Sequence, residues 1–251
     1  MFTKTLLMGA AASIAIASSV AAERGSDGNV SIIYWQAPSI LNPFLSGGTK
    51  DVESASLIVE PLARYDQNGE MVPFLAVEIP TVDNGGVSAD LTSITWKIAP
   101  GIKWSDGTAF TAADVKFTAD YCMHPEGGCA QLTKFDGVSS VEALDDMTVK
   151  VTFENPMPFP YGPFVGGESP IIQKAQFENC MGAKAPECTA ENFGPIGTGP
   201  FVVTDFRPND VIQMVANDNY RDPAKPAFAS LTFKGGGDAT VHSKVVAPSP
   251  H

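Results

Sequence analysis

Four cysteines and three histidines are the residues of this chain with the most chemistry to offer, and their spacing decides what that chemistry is. Cys122 and Cys129 form one close set, Cys180 and Cys188 another, and each set brackets a turn containing Gly or Pro. In an oxidising compartment such sets close as local disulfides, because a short loop costs little entropy to close. Four cysteines allow three connectivities, and neighbour pairing is the expected one. His124, between Cys122 and Cys129, raises the alternative of a metal site. That spacing lacks the Cys-x-x-Cys of a zinc knuckle, so no metal is expected. His242 and His251 lie in a polar tail, which leaves no histidine suited to a Ser-His-Asp arrangement.

The other chemical signatures are equally bare. The sequence holds no Gly-x-Ser-x-Gly elbow, no His-Glu-x-x-His and no Walker loop. Gly235-Gly236-Gly237-Asp238 and Gly197-Thr198-Gly199 lack the lysine of a phosphate loop and are read as turns. Asp145-Asp146 sits on an expected turn, as a solvated loop would, and not as the separated carboxylates of a glycosidase. Catalysis and a cofactor are therefore not expected. An exported hydrolase is the disfavoured rival, and the weight moves to binding.

The elements that must position a binding surface are legible in outline. Val30 to Trp35 is β-branched and aromatic and reads as the first strand. Gln36 to Lys50, with Pro38, Asn42-Pro43 and Ser46-Gly47-Gly48-Thr49, reads as a loop that leaves backbone amides free. Asp51 is expected to cap a helix carrying Val52, Leu57 and Ile58 and ending before Pro61. Gln67-Asn68-Gly69 is a turn signal after the run Leu62 to Asp66, and Thr92 to Ile98 fits a half-buried strand. A helix entered at Thr111 places Val115, Ala119 and Cys122 on one face. Ser139 to Leu144 and Met147 to Phe153 form a hairpin, Phe201 to Val215 forms another, and Ala229 to Phe233 is the last strand. Pro156 to Pro163 should be extended and irregular.

The N-terminus sets the compartment. Lys4, an apolar run from Leu6 to Val20 and the small residues of Val20-Ala21-Ala22 read as a signal peptide, residues 1–22, cleaved after Ala22. The run of roughly 15 residues is short for the ~20 that cross a bilayer. No cysteine precedes Cys122, so a free periplasmic protein is expected, neither a lipoprotein nor inserted in the membrane. The net charge of -12 is spread along the chain, which argues against nucleic acid as a partner. A monomer is expected.

Ordered words then resemble one family. Leu41-Asn42-Pro43 with Ser46-Gly47-Gly48, Glu60-Pro61-Leu62 with Tyr65-Asp66, the stretch Ile102 to Val115 containing Trp104-Ser105-Asp106-Gly107, Ile196-Gly197-Thr198-Gly199-Pro200-Phe201, and Asn217-Asp218-Asn219-Tyr220 follow one another as in the extracellular solute-binding proteins of the dipeptide/oligopeptide class, family 5. The resemblance implies a mixed α/β fold, the lobe I of a type II periplasmic binding protein with its added subdomain. Lobe I core segments would be 23–65 and 195–240, the inserted subdomain 66–194, and 241–251 an unrelated-looking tail. It also implies a two-lobed clamp that encloses a solute at its hinge and delivers it to an ABC-transporter permease. The solute is expected to be a short peptide, with nickel complexes, haem, oligosaccharides and opines as family alternatives. Trp35 to Asp51 would wall the cleft, with Gln36, Asn42, Ser46, Gly47, Gly48 and Thr49 as the solute contacts.

The chain departs from the family in length. Members are roughly twice as long, and the change of character at Val241 is expected to mark a frame truncated before lobe II, with weak or no binding alone. A non-functional gene remnant is the other reading of that change.

Overall fold

The computed structural model describes residues 23–235, so the expected signal segment 1–22, the last residues of the expected core segment 195–240 and the tail 241–251 lie outside the described residues. The elements are β1 (Asn29–Tyr34), α1 (Thr49–Ala55), β2 (Ala63–Tyr65), β3 (Met71–Pro73), β4 (Ser93–Lys97), α2 (Ala112–Cys122), β5 (Val138–Asp145) and β6 (Thr148–Phe153). After them come α3 (Lys174–Phe177), α4 (Thr189–Phe193), β7 (Phe201–Arg207), β8 (Val211–Ala216) and β9 (Ser230–Gly235). Among the described residues, no helix is long and apolar enough to cross a membrane.

Two hydrophobic cores divide the chain. The first builds on a four-stranded sheet of order β1-β9-β8-β7, in which β1 and β9 run parallel and the other neighbours antiparallel. Alternation puts Leu231 and Phe233 of β9 and Ile212 and Met214 of β8 on one face. Leu41, Ala55, Ile58 and Val59, from α1 and the loops flanking it, pack against that face.

The second core surrounds a three-stranded sheet of order β4-β6-β5. On β6, Val149, Val151 and Phe153 point inward and Thr148, Lys150 and Thr152 are half-buried. Trp96, Trp104, Phe110 and the α2 residues Val115, Phe117 and Ala119 complete the packing. Here Trp104 and Asp114 act together. One Asp114 carboxylate oxygen accepts from Thr111 N (3.0 Å) and Trp104 Nε1 (3.3 Å), and the other from Lys174 N (2.9 Å). The Trp-Ser-Asp-Gly turn is thereby locked to the start of α2 and to α3. Burial pushes the Asp114 carboxyl above its ordinary range, against the pull of those donors.

The cysteines pair with their neighbours, Cys122 with Cys129 and Cys180 with Cys188. His124 is pressed between the two bridged loops, where a Cβ on Gly182 would come within 2.6 Å of its ring. Its Nδ1 accepts from Glu126 N at 3.2 Å. Glu191 lies close to Cys180 and Cys188, but both sulfurs are spent in the bridge and cannot ligate.

Two local expectations change. Asp51 does not cap α1: Gly48 is the N-cap, and Asp51 lies inside the first turn. Gly197-Thr198-Gly199 is no flexible turn, since neither glycine has positive φ. A Cβ on Gly197 would lie 1.8 Å from the Ile58 carbonyl oxygen, and one on Gly199 would lie 2.6 Å from it. Space, not backbone freedom, demands glycine at both positions.

Candidate functional site

Two regions could meet a solute, and different elements position them. The first follows β1. The chain leaves the sheet at Tyr34, and Gly235 of β9 lies so close beneath that a Cβ there would come 2.5 Å from the Gln36 carbonyl. Farther on, Asp51 organises the loop from its buried place in α1, 2% exposed. Its carboxylate accepts from Ser39 N (2.7 Å), Ser46 Oγ (2.7 Å) and Lys50 Nζ (2.9 Å). Burial works to raise its pKa, but the Lys50 ammonium and the Ser39 and Ser46 donors outweigh it and hold the group below its ordinary value.

The six loop residues expected to touch solute do not share one surface. Asn42 is 1% exposed and is used internally. Its amide nitrogen donates to Tyr121 Oη (3.1 Å) and Asn192 Oδ1 (2.9 Å), and its oxygen accepts from Phe44 N (3.1 Å), so it ties the loop to α2 and α4. Ser46 is bound to Asp51 and accepts from Gly48 N at 3.1 Å, so both residues shape the loop. Gln36, Gly47 and Thr49 are exposed. Gly47 and Thr49 share a shallow depression of about 290 Å³ with Val52, Glu53 and Glu168, while Gln36 stands at the end of the sheet.

Asp51 gives a direct test of the loop. A depressed carboxylate adds stability above its unfolded value of 3.8, and that stability is lost as pH falls through the folded value. Asp51→Asn is therefore expected to cost about 1–2 kcal/mol at neutral pH and little in strong acid. Urea unfolding across pH, with faster hydrogen exchange at the Ser39 and Ile40 amides, is the readout. A pH-independent penalty would show that the charge is not what organises the loop.

The second region is a cavity of about 740 Å³ against the apolar face of the four-stranded sheet. Val30, Ile32, Phe201 and Leu231 form its floor, and Glu60, Arg64 and Arg221 stand on its wall. Glu60 is 1% exposed. One of its oxygens accepts from Arg221 Nη1 (2.5 Å) and Thr198 Oγ1 (3.0 Å), and the other is buried with no hydrogen-bond partner among the described residues. Burial pushes this carboxyl above its ordinary range, although Arg221, Thr198 and Arg64 pull the other way. Arg64 and Arg221 both lie on the ring of Phe74, at 3.8 and 4.7 Å from its centroid, a cation–π arrangement. Arg24 fixes the rim, donating to the carbonyls of Asn217, Tyr220, Asp222 and Lys225.

Sequence reasoning did not single out Glu60, Arg64 or Arg221 for this role. A signal was present. Glu60 interrupts the apolar run Leu57-Ile58-Val59 and Pro61-Leu62-Ala63, and a lone acid in such a run must be buried with a cation or break the element.

Residues 70–244 match the model of the bacterial extracellular solute-binding proteins, family 5 Middle. The glutathione-binding protein GsiB of Pectobacterium atrosepticum is 26% identical over 194 residues, 77% of this chain and 35% of that protein. The oligopeptide-binding protein AppA of Bacillus subtilis, solved with a nonapeptide, superposes with a TM-score of 0.75 at 23% identity, over 89% of this chain and 42% of that one. NikZ of Campylobacter jejuni, solved with Ni(L-His), gives a TM-score of 0.73 at 25% identity, over 87% and 41%. The chain spans about a third of the length of the curated relatives it matches.

Proposed function

Because this chain belongs to the bacterial extracellular solute-binding proteins of family 5, we propose that it forms one jaw of a periplasmic clamp that hands a short peptide or glutathione-like solute to an ABC-transporter permease. Its fold is the mixed α/β fold of the type II periplasmic binding proteins. The observation that carries the reading is the superposition on a protein solved with a peptide, together with the loop beyond β1 that Asp51 holds in shape. In this reading Gln36, Gly47 and Thr49 face the solute, while Asn42, Ser46 and Gly48 hold the loop in shape. Residues 23–65 and the described part of 195–240 form the lobe core in this reading, and 66–194 its inserted subdomain.

A clamp gains affinity from contacts on two walls and from excluding water, so a single wall leaves the solute half in solvent. The 740 Å³ cavity beside Glu60 is, in this reading, where polypeptide of the relatives' greater length packs, and its donors satisfy the buried Glu60 oxygen. Calorimetry of the mature chain with alanine tripeptides or glutathione is expected to show no saturation at micromolar concentration. Fusing the chain to the part of GsiB that lies beyond the aligned region is expected to restore micromolar binding. A tight isotherm from the chain alone, or hydrolysis of the peptide detected by mass spectrometry, would overturn the proposal.

A further inference from the structure

The three tryptophans divide into two kinds. Trp96 and Trp104 are 0% and 1% exposed, whereas Trp35 is 64% exposed. An indole this open is unusual, because tryptophan is highly buried on average. Trp35 is also firmly mounted. Its ring leans on Tyr34 at 5.8 Å between centroids, and Tyr34 leans on Phe233 of β9 at 5.1 Å, so an aromatic ladder runs from the core to the solvent. Past it the backbone is fixed by the close approach of Gly235 to Gln36, by Asn209 N donating to the Pro38 carbonyl at 2.8 Å, and by Asp51 holding Ser39.

The position matters as much as the exposure. Trp35 comes directly after β1, which runs parallel to β9, so the carboxyl ends of both strands lie at this end of the sheet, where Gly235 meets Gln36. An indole offers the most cation-attracting ring face of the side chains, and a guanidinium can stack on it as well as be drawn by charge. The net charge of -12 adds a long-range pull on cationic solutes.

We infer that Trp35 is the platform on which an arginine side chain of the solute peptide lies flat, which makes it a specificity-determining residue of the wall. The inference rests on the reading that this end of the sheet faces solute. The test is a titration of the isotopically labelled mature chain with Ala-Arg-Ala and with Ala-Leu-Ala into the millimolar range. It follows the Trp35 indole N–H, assigned with Trp35→Phe, and the amides of residues 36–49. Ala-Arg-Ala is expected to move the indole signal, with Ala-Leu-Ala weaker by about three- to tenfold. Trp35→Ala should weaken Ala-Arg-Ala by a similar factor and leave the thermal unfolding curve unchanged, because the ring adds little to the core. Loop amides that shift while the indole stays still, or equal response to the two peptides, would overturn the platform and leave the cleft wall standing. No shift at any residue with either peptide would overturn both.

Discussion

Arg221→Met is expected to destabilise the fold by about 3 kcal/mol at neutral pH and by much less near pH 4. Arg221 is the cation that compensates Glu60, a carboxylate 1% exposed with one oxygen already lacking a partner. Removing the guanidinium leaves a buried charge with Thr198 as its remaining donor. The sign of the pH dependence follows from the direction of the shift. A carboxyl whose folded pKa lies above its unfolded value of 4.5 holds more protons folded than unfolded, so stability falls as pH rises above 4.5 toward the folded value. Loss of Arg221 raises the folded value further and steepens that fall, while below 4.5 both states are protonated and the ion pair adds little. Glu60→Gln removes the charge itself and should recover most of the loss in the double variant, because no buried charge is then left without its partner. Urea unfolding of the parent and the three variants at pH 4 and pH 7 reads all of this. An equal penalty at the two pH values would mean that Arg221 acts by packing on Phe74 and Tyr220 and not by its charge.

Gly197→Ala is expected to cost about 3 kcal/mol or more, enough to leave a large fraction of a marginal chain unfolded. The added methyl would sit 1.8 Å from the Ile58 carbonyl oxygen and 2.5 Å from its carbon, both backbone atoms that cannot rotate away. The same segment holds the two cores together. Gly199 N donates to the Ile58 carbonyl at 2.8 Å, and Ser105 N from the Trp-Ser-Asp-Gly turn donates to the Gly197 carbonyl at 2.9 Å. A shift that relieves the clash therefore disturbs the sheet of β7 to β9 and the α2 subdomain together. Gly47→Ala is the control, because nothing lies within 4 Å of its ideal Cβ, and its effect should stay within about 0.5 kcal/mol. Circular dichroism melts of the two variants decide the matter, and a Gly197→Ala melt matching that of the parent would refute the close-approach account.

The polar loop shows how far residue type carries a functional reading. Asn42, Ser46 and Gly48 have the chemistry of solute contacts, yet Asp51, Tyr121 and Asn192 use that chemistry inside the protein. A loop's donors and acceptors are spent first on whatever folds against them, and α2 and α4 are distant in sequence. Asp51 itself was legible as a helix-start residue but not as the loop's organiser, because its partners at Ser39 and Ser46 precede the helix.

What the sequence determined by itself was local. Period-two alternation set β6 and the hairpins β5–β6 and β7–β8, the apolar spacing of Val115, Ala119 and Cys122 set the inward face of α2, and short loops between cysteines set the disulfides, since each depends on neighbours within a few residues. The ordered family words added the fold class. The tertiary structure alone decided that β1 pairs in parallel with β9 across nearly the whole chain, that Glu60 meets Arg221, that Gly197 is wedged against Ile58, and that Trp35 is left open to solvent while the other two indoles are enclosed. Burial and charge compensation are properties of the space between distant segments, and no window along the chain contains both sides of it.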